Sequence, residues 1–497
     1  GYPIDDKNIK YSPLFIDLYG NSLPQIYFGS DSSMNGTWIS GLNVFGFPSE
    51  LDGKITTTSA AGDLDGDGDR ELVFGSSDGT LYALNKDASQ FLSYPQSNTI
   101  VGYPVLNDVD SSGFLNIIFV SSNDTSSMLY VIDYLGEDLS GFPVLLSGAS
   151  LFGPAVADAN HNGSSDIILA TVNGLVYSYN NSGEINQGFP LSISDSIQCP
   201  VSLTDLDGDH DLEIIVGDES GTVYVIDHNS SLISSFSADE SVRSGIVIAD
   251  LNQNGSMELL FSDISQNIYV WDPIQDSELI GWPVHLDNGD LSEPIIVDLD
   301  NDLDLEIILT TTAGSVFILH HDGLLYQNFP YISQDSIHCS PAVGDLDMDG
   351  DYEIIIGSES GLKVLDISED GGNQYSWKSY RGNSYRDGFF NQNLSYMSIK
   401  KNLVPLEFTL GNNYPNPFNP ITRFNYSLSE NANVKIIVYD INGREIKVLV
   451  NDTESAGNKS TIWDGTNNFG EHVSTGLYFY KIQAADFVKT KKMVLLK

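Results

Sequence analysis

Positive charge is what this sequence has least of: 22 Lys and Arg stand against 68 Asp and Glu, a formal net charge of −46. Acidity on that scale repels polyanions and excludes nucleic acid and anionic lipid as natural partners. Long apolar runs are missing too; nothing approaches the roughly 18 residues that a membrane-spanning helix needs. Cysteine is almost absent. Cys199 and Cys339 each stand six residues ahead of the first Asp of an acidic loop, so they hold equivalent places in two repeats three units apart. Around a ring, such places lie beyond the ~7 Å Cα reach of a disulfide, and both are expected as small buried core residues. Catalytic signatures are equally thin. None of the eight His sits in a His-Glu-x-x-His spacing, and His320-His321 reads as a turn pair at a strand end. No Gly-x-Ser-x-Gly elbow or phosphate loop occurs, and no glycosidase carboxylate pair stands apart from the acidic loops. The chain therefore reads as a non-enzyme. No leader precedes Gly1, as in a mature or cut product.

Turn formers and strand formers are plentiful. Only 18% of residues are charged, while Gly numbers 45 and Tyr 25, a profile that suits an all-β protein. Over residues 1–390 one pattern repeats. Its anchor is the first Asp of an acidic loop, at Asp17, Asp63, Asp108, Asp158, Asp205, Asp250, Asp298 and Asp345, at intervals of 45 to 50 residues. Such periods point to propellers or solenoids, and the four short strands per unit favour a closed propeller over shorter solenoid rungs. Eight anchors imply eight blades, with seven plus a degenerate unit as the alternative. In the last unit Ser340-Pro-Ala-Val-Gly precedes the loop, Glu353-Ile-Ile-Ile-Gly follows it, and Gly361-Leu-Lys-Val-Leu-Asp comes next. Most other units carry Gly-aromatic-Pro, as at Gly46-Phe-Pro and Gly281-Trp-Pro; the eighth instead runs into Tyr375-Ser-Trp-Lys-Ser-Tyr-Arg-Gly-Asn. The chain opens on Gly1-Tyr2-Pro3, so residues 1–5 either add a strand to the last blade or mark a cut edge.

The loops have the chemistry of a hard-cation site. Asp63, Asp65, Asp67, Asp69 and Glu71 alternate along nine residues, as do Asp205, Asp207, Asp209, Asp211 and Glu213. So do Asp298, Asp300, Asp302, Asp304 and Glu306, and again Asp345, Asp347, Asp349, Asp351 and Glu353. Positions 1, 3, 5 and 9 offer carboxylates and position 7 a backbone carbonyl, which matches the six to eight oxygens that Ca2+ prefers and that Mg2+ tolerates poorly. Four full sites are expected. Two further loops substitute neutral oxygens and should bind more weakly: Asp158, Asn160, Asn162 and Asp166, and Asp250, Asn252, Asn254 and Glu258. The loop of Asp108, Asp110 and Ser112 ends in Asn116 and is doubtful, and the Asp17 loop keeps a single acid.

With loop, strand run and turn in constant order, the repeat resembles the FG-GAP or VCBS type found in integrin α-subunit heads and bacterial surface proteins. Phe152-Gly-Pro-Ala-Val-Ala-Asp158 nearly spells the family name. The resemblance covers residues ~12–390 and implies a propeller with structural calcium at its rim.

Charge shifts near residue 390. Residues 1–390 hold 10 of the 22 Lys and Arg and 59 of the 68 Asp and Glu, whereas residues 391–497 hold 12 and 9. Such a change marks a domain boundary, with 391–411 read as a linker. Strands are expected at 424–428, 434–440, 445–450, 459–463 and 477–483, with turns at Asn442-Gly443 and Asp464-Gly465, as in a small immunoglobulin-like sandwich lacking its Cys pair. Residues 412–497 closely resemble a type IX (Por) secretion C-terminal sorting domain. The likeness rests on Tyr414-Pro-Asn-Pro-Phe-Asn-Pro, the Asn-Gly turn, Ser474-Thr-Gly-Leu-Tyr-Phe-Tyr and the basic Lys-Met-Val-Leu tail. It implies export by that machinery and release from, or attachment to, the outer-membrane surface. The expected function is a secreted or surface binding scaffold for a glycan or protein. The alternatives are a calcium-bearing polysaccharide lyase, disfavoured by the scarcity of cations that would neutralise a uronate, and the non-catalytic part of a larger surface enzyme.

Overall fold

The Ile, Val and Leu runs that follow the acidic loops become strands buried on both faces. Every residue of Glu71–Gly75, Glu213–Gly217, Glu258–Ser262 and Glu306–Thr310 is buried. Each large aliphatic side chain so enclosed stabilises by about 1.5–3 kcal/mol. The computed structural model describes the chain except residues 1–3, 6–7, 21–22, 373–376, 391–407, 415, 419, 421, 429–431, 455–456, 464, 471, 486 and 497. The described residues contain strands, turns and bends and no helix. Contacts divide the chain into Gly1–Gln392 and Asn393–Lys497.

The first unit is a β-propeller. Its described residues form eight sheets, antiparallel except where Phe389–Phe390 pairs parallel with Ser202–Thr204; numbered here in chain order, their first strands are Leu14–Ile16, Ala60–Gly62, Thr99–Asn107, Ala155–Ala157, Ser202–Thr204, Val247–Ala249, Ile295–Val297 and Ala342–Gly344. Each first strand ends at an acidic loop and returns as the doubly buried second strand. Apolar side chains interlock between neighbouring sheets: Leu14 and Tyr27 meet Leu72 and Phe74, and Ala60 and Val73 meet Ile117 and Phe119. Sheet 8 meets sheet 1 through Ile355 and Leu362 against Ile26 and Phe28, so the sheets close into a ring. Two close approaches make glycine necessary. A Cβ on Gly344 would stand 2.1 Å from the Phe15 ring, and one on Gly46, at φ +88°, would stand 1.9 Å from the Asp87 carbonyl of the next sheet.

Chain ends complete the ring. Ile4–Asp5 pairs antiparallel with the third strand of sheet 8, with Ile4 opposite Leu362 and Asp5 opposite Gly361. The Ile9 amide donates to the Ser358 carbonyl at 3.0 Å, and Ile9 is wholly buried. Gly1–Pro3 lie outside the described residues.

With the outer edge of sheet 8 occupied by the N-terminal strand, the described part of the Tyr375–Asn383 stretch has a different role from closing the eighth unit. Residues 377–390 run along the axis of the ring. Carbonyls of Trp377, Lys378, Ser384, Tyr385, Asp387 and Gly388 accept the amides of Ile296, Val343, Ala61, Leu106, Val156 and Leu203, at 2.9–3.1 Å. All six donors stand two residues ahead of the first Asp of their loop. First strands in a ring are sheet edges with unpaired amides, and this strap supplies the acceptors that burial demands.

The second unit is a two-sheet sandwich. Thr409–Tyr414, Thr422–Leu428 and Gly457–Trp463 form one sheet; Glu445–Glu454, Ala432–Tyr439, Gly476–Ala484 and Phe487–Leu495 form the other. Inward-facing Phe424, Tyr426, Val434, Ile436, Val438, Trp463, Tyr480 and Ile482 make its core. The strand at Thr409 begins inside the stretch read as a linker. Asp464 of the expected turn lies outside the described residues; Asn442-Gly443 is a turn, with the Gly443 amide on the Asp440 carbonyl at 3.0 Å.

Candidate metal centres in the acidic loops

All eight loops share one internal bond that sequence reading missed. The amide at loop position 2 donates to the side-chain oxygen at position 9: Leu64 to Glu71 at 3.0 Å, Leu206 to Glu213 at 2.7 Å, Leu251 to Glu258 at 2.8 Å, Leu299 to Glu306 at 2.9 Å and Leu346 to Glu353 at 2.5 Å. The non-glutamate loops keep it through Gln25, Asn116 and Asp166, at 3.2, 2.8 and 3.2 Å. The closing residue thus first pins the loop to its strand, a task any side-chain oxygen performs. The recurrence of an oxygen-bearing residue at position 9, neutral or charged, was the signal for it.

Four groups of carboxylates converge, with ligand atoms within 4.8 Å of one another: Asp63, Asp65 and Glu71; Asp205, Asp207 and Glu213; Asp298, Asp300 and Asp302; and Asp347, Asp349, Asp351 and Glu353. Oxygens on opposite sides of one Ca2+ are about 4.6–5.2 Å apart, so the donor set and its span fit that ion. The remaining loop acids fall outside these groups; among them Asp69, Asp211 and Asp304 stand at position 7, where the backbone carbonyl and not the side chain is the expected donor. Asp67 Oδ1 accepts the Asp69 amide, and Asp69 is paired with Lys86. Asp209 Oδ1 accepts the Asp211 amide at 2.9 Å, and Asp211 faces His228 at 3.6 Å. Asp304 faces His321 at 3.6 Å, and Glu306 Oε1 meets His320 Nδ1 at 3.2 Å. The His320-His321 pair therefore flanks an acidic loop. Asp345 takes the Gly350 amide on one oxygen, while its Oδ1 is buried without a hydrogen bond.

Asp298 is the sharpest indicator. It is fully buried, and its carboxylate has the Asn301 and Leu303 backbone amides nearby but no well-formed hydrogen bond to either oxygen. A buried ionised carboxylate so weakly partnered is costly, and a cation among Asp298, Asp300 and Asp302 would remove that cost. Gly372 covers the site so closely that a Cβ there would stand 1.9 Å from Asp298 Oδ2. Burial, reinforced by neighbouring carboxylates, pushes Glu71 and Asp298 up to about 7 and Glu213, Glu258 and Glu353 up to about 8.

In the two neutral loops side-chain amides meet part of this demand, although Asn160 Oδ1 stays buried without a hydrogen bond. Asn160 Nδ2 donates to Asp166 Oδ2 at 3.0 Å, and Asn252 Nδ2 donates to Glu258 Oε1 at 2.6 Å. Asp158 accepts the Asn162 and Gly163 amides, and Asp250 those of Asn254 and Gly255. Each Asn amide does for its closing acid part of what a cation does in a full loop. Cys199 and Cys339 are free and buried.

Known proteins agree with this architecture. Residues 420–486 match the FlgD Ig-like domain family. No curated protein matches the chain. Among solved structures it is similar to the V. cholerae biofilm matrix protein Bap1, with TM-score 0.55 and 13% identity over 76% of this chain and 92% of that one. Sqt1 of Saccharomyces cerevisiae superposes with TM-score 0.54 and 13% identity, covering 74% and 98% of the two chains. BamB of Moraxella catarrhalis does so with TM-score 0.50 and 12% identity, covering 71% and 95%. At these identities the likeness establishes the propeller fold.

Proposed function

We propose that this chain is a secreted or surface-attached, non-catalytic binding scaffold of FG-GAP type whose propeller is held in shape by Ca2+. The observation that carries this reading is Asp298, sealed from solvent beside Asp300 and Asp302 with neither oxygen in a well-formed hydrogen bond. The other three full loops add converging carboxylates of the same kind. In this reading Asp63, Asp65 and Glu71, Asp205, Asp207 and Glu213, Asp298, Asp300 and Asp302, and Asp347, Asp349, Asp351 and Glu353 hold four ions, and the Asn-containing loops hold none tightly. The ion supplies only charge neutralisation and cross-linking of each loop to its strand. Bap1, a biofilm matrix protein on a related fold, is consistent with a scaffold role outside the cell. Residues 412–497 serve as the type IX sorting domain, a proposal supported by the sequence likeness of that segment and its sandwich fold.

Metal analysis of the dialysed full chain tests the calcium reading. About four equivalents of Ca2+ and a melting temperature that drops in EDTA are expected; a metal-free protein equally heat-resistant in EDTA refutes it. Deleting residues 412–497 in a host with type IX secretion should leave the propeller inside the cell. Incubation with pectin-like substrates should produce no rise in ultraviolet absorbance; a rise would make the chain a lyase.

A further inference from the structure

The eighth unit departs from the others just after its acidic loop, Asp345–Glu353, called loop 8 here as Asp298–Glu306 is loop 7. Its third strand, Gly361–Asp370, runs ten residues where Thr80–Leu84, Leu175–Tyr179, Thr222–Ile226 and Ser315–Leu319 run five. The extra length extends the ladder into the loop, with Asp370 opposite Asp351. This unit carries no Gly-aromatic-Pro to end the strand as most others do. Gly371-Gly372 follows instead, and these two residues join the two loops.

Both loops hold the pair. The Gly371 amide donates to the Gly350 carbonyl of loop 8 at 2.9 Å, and the Gly372 amide donates to the Asp298 carbonyl of loop 7 at 2.9 Å. Tyr352, at position 8 of loop 8, donates its hydroxyl to the Gly372 carbonyl at 2.6 Å. Lys378 Nζ donates to that same hydroxyl oxygen at 2.7 Å, which leaves the tyrosine proton for Gly372. The contact tolerates no side chain. A Cβ on Gly371 would stand 2.3 Å from the Tyr352 ring, and one on Gly372 would meet the Asp298 carboxylate.

This bridge sets loop 7 apart. Among the first acids of the four full loops only Asp298 is buried, while Asp63, Asp205 and Asp345 keep part of their surface. Ligand exchange at Asp298 therefore requires the bridge to lift, whereas the other three first acids are open to water. Lifting it breaks three hydrogen bonds, and each such bond shifts an equilibrium about two- to tenfold. Two of the three are made by loop 8, through the Gly350 carbonyl and the Tyr352 hydroxyl.

We propose that Gly371-Gly372 is a latch, held by loop 8, that traps the ion of loop 7. Calcium then leaves in two kinetic classes, three ions fast and one slow, and loop 8 sets the slow rate. An ion in loop 8 orders the Gly350 carbonyl and Tyr352, so filling that loop tightens loop 7, and by linkage the reverse holds. The inference rests on the calcium reading and adds an order of release to it.

The test mixes the calcium-loaded full chain with excess fluorescent chelator in a stopped-flow instrument. Three ions should leave fast and one at least about tenfold more slowly. Asp300→Asn should abolish the slow phase, which assigns it to loop 7; Asp205→Asn, in another loop, should remove a fast one instead. Tyr352→Phe deletes a hydroxyl of loop 8 and no ligand of loop 7, and keeps the ring over which Lys378 Nζ sits at 4.4 Å. It should speed the slow phase about two- to tenfold and leave the fast phases alone. Hydrogen exchange gives a second readout: the Gly371 and Gly372 amides should exchange faster in Tyr352→Phe, while those of Glu306–Thr310 hold. Four ions of one release rate, a slow phase that survives Asp300→Asn, or one unmoved by Tyr352→Phe overturns the latch and leaves the calcium sites standing. A protein that carries no calcium fails the metal reading itself and takes the latch with it, a result distinct from those three.

Discussion

Without calcium this protein should lose stability as pH rises, the opposite of what a carboxylate paired in the folded state confers. Glu213 shows why. Burial and the nearby Asp207 and Asp205 raise its carboxyl from 4.5 to about 8 in the ion-free fold. A raised carboxyl pKa favours the folded state while both states are protonated, and the advantage disappears as pH climbs from the unfolded value to the folded one. Between about pH 4.5 and 8 the native state binds more protons than the unfolded chain, so stability falls with rising pH. At pH 7 the loss from this one group is about 3 kcal/mol at 1.36 kcal/mol per unit. Glu71, Glu353 and Asp298 carry shifts of the same sign. Calcium reverses the demand, because it binds the ionised carboxylates and is favoured as pH rises. Each site filled at 100 times its Kd adds about 2.7 kcal/mol. Four sites thus add about 10 kcal/mol, worth on the order of 10–20 °C for a domain of this size. Scanning calorimetry of the full chain between pH 5 and 8, in EGTA and in millimolar Ca2+, reads both effects. The propeller transition should fall with pH in EGTA, and the gap between the two curves should widen from pH 5 to 8. A gap that is absent at pH 8, or an EGTA curve that rises with pH, refutes the reasoning.

Other perturbations follow from the same contacts. Asn160→Asp replaces an amide that donates to Asp166 with a second carboxylate; the variant should melt lower than wild type in EGTA and bind one more Ca2+ by equilibrium dialysis. Arg381→Ala strands buried Glu293, whose Oε2 lies 3.8 Å from Arg381 Nη1, in the ring axis and should cost about 3–5 kcal/mol in urea unfolding, against less than ~0.5 kcal/mol for the exposed Lys54→Ala. Deleting residues 1–10 removes the Ile4–Asp5 strand and buried Ile9, and should lower the propeller melt by several degrees while leaving the sandwich transition in place.

Much of this architecture was readable from local pattern. Ile/Val runs after each acidic loop announced doubly buried strands, because a strand between two packed neighbours tolerates no polar face. The 45–50-residue period of the anchors reported one unit repeated, and alternating Asp marked the loops where carboxylates gather. Five of the sandwich strands were legible to within a few residues; Thr409–Tyr414, whose Thr-Leu-Gly-Asn-Asn-Tyr lacks alternation, and Phe487–Leu495, whose end read only as a basic tail, were not.

What lies on the axis was not. Nothing local in Trp377–Phe390 says that its carbonyls meet amides of six sheets, some more than 300 residues earlier, as Ser384 meets Ala61. Glu293 looked like one more acid in an acidic chain, though its place five residues ahead of Asp298, where the equivalents include Ser12, Thr58 and Ser340, set it apart. The contact of His320 with Glu306 was not legible either, since the two meet only once their strands pair. The repeat is written in each unit because one unit's strands and loop depend on neighbours a few residues away. The strap and its buried ion pair exist only after the ring has closed, because their partners come from units that meet nowhere but at its centre.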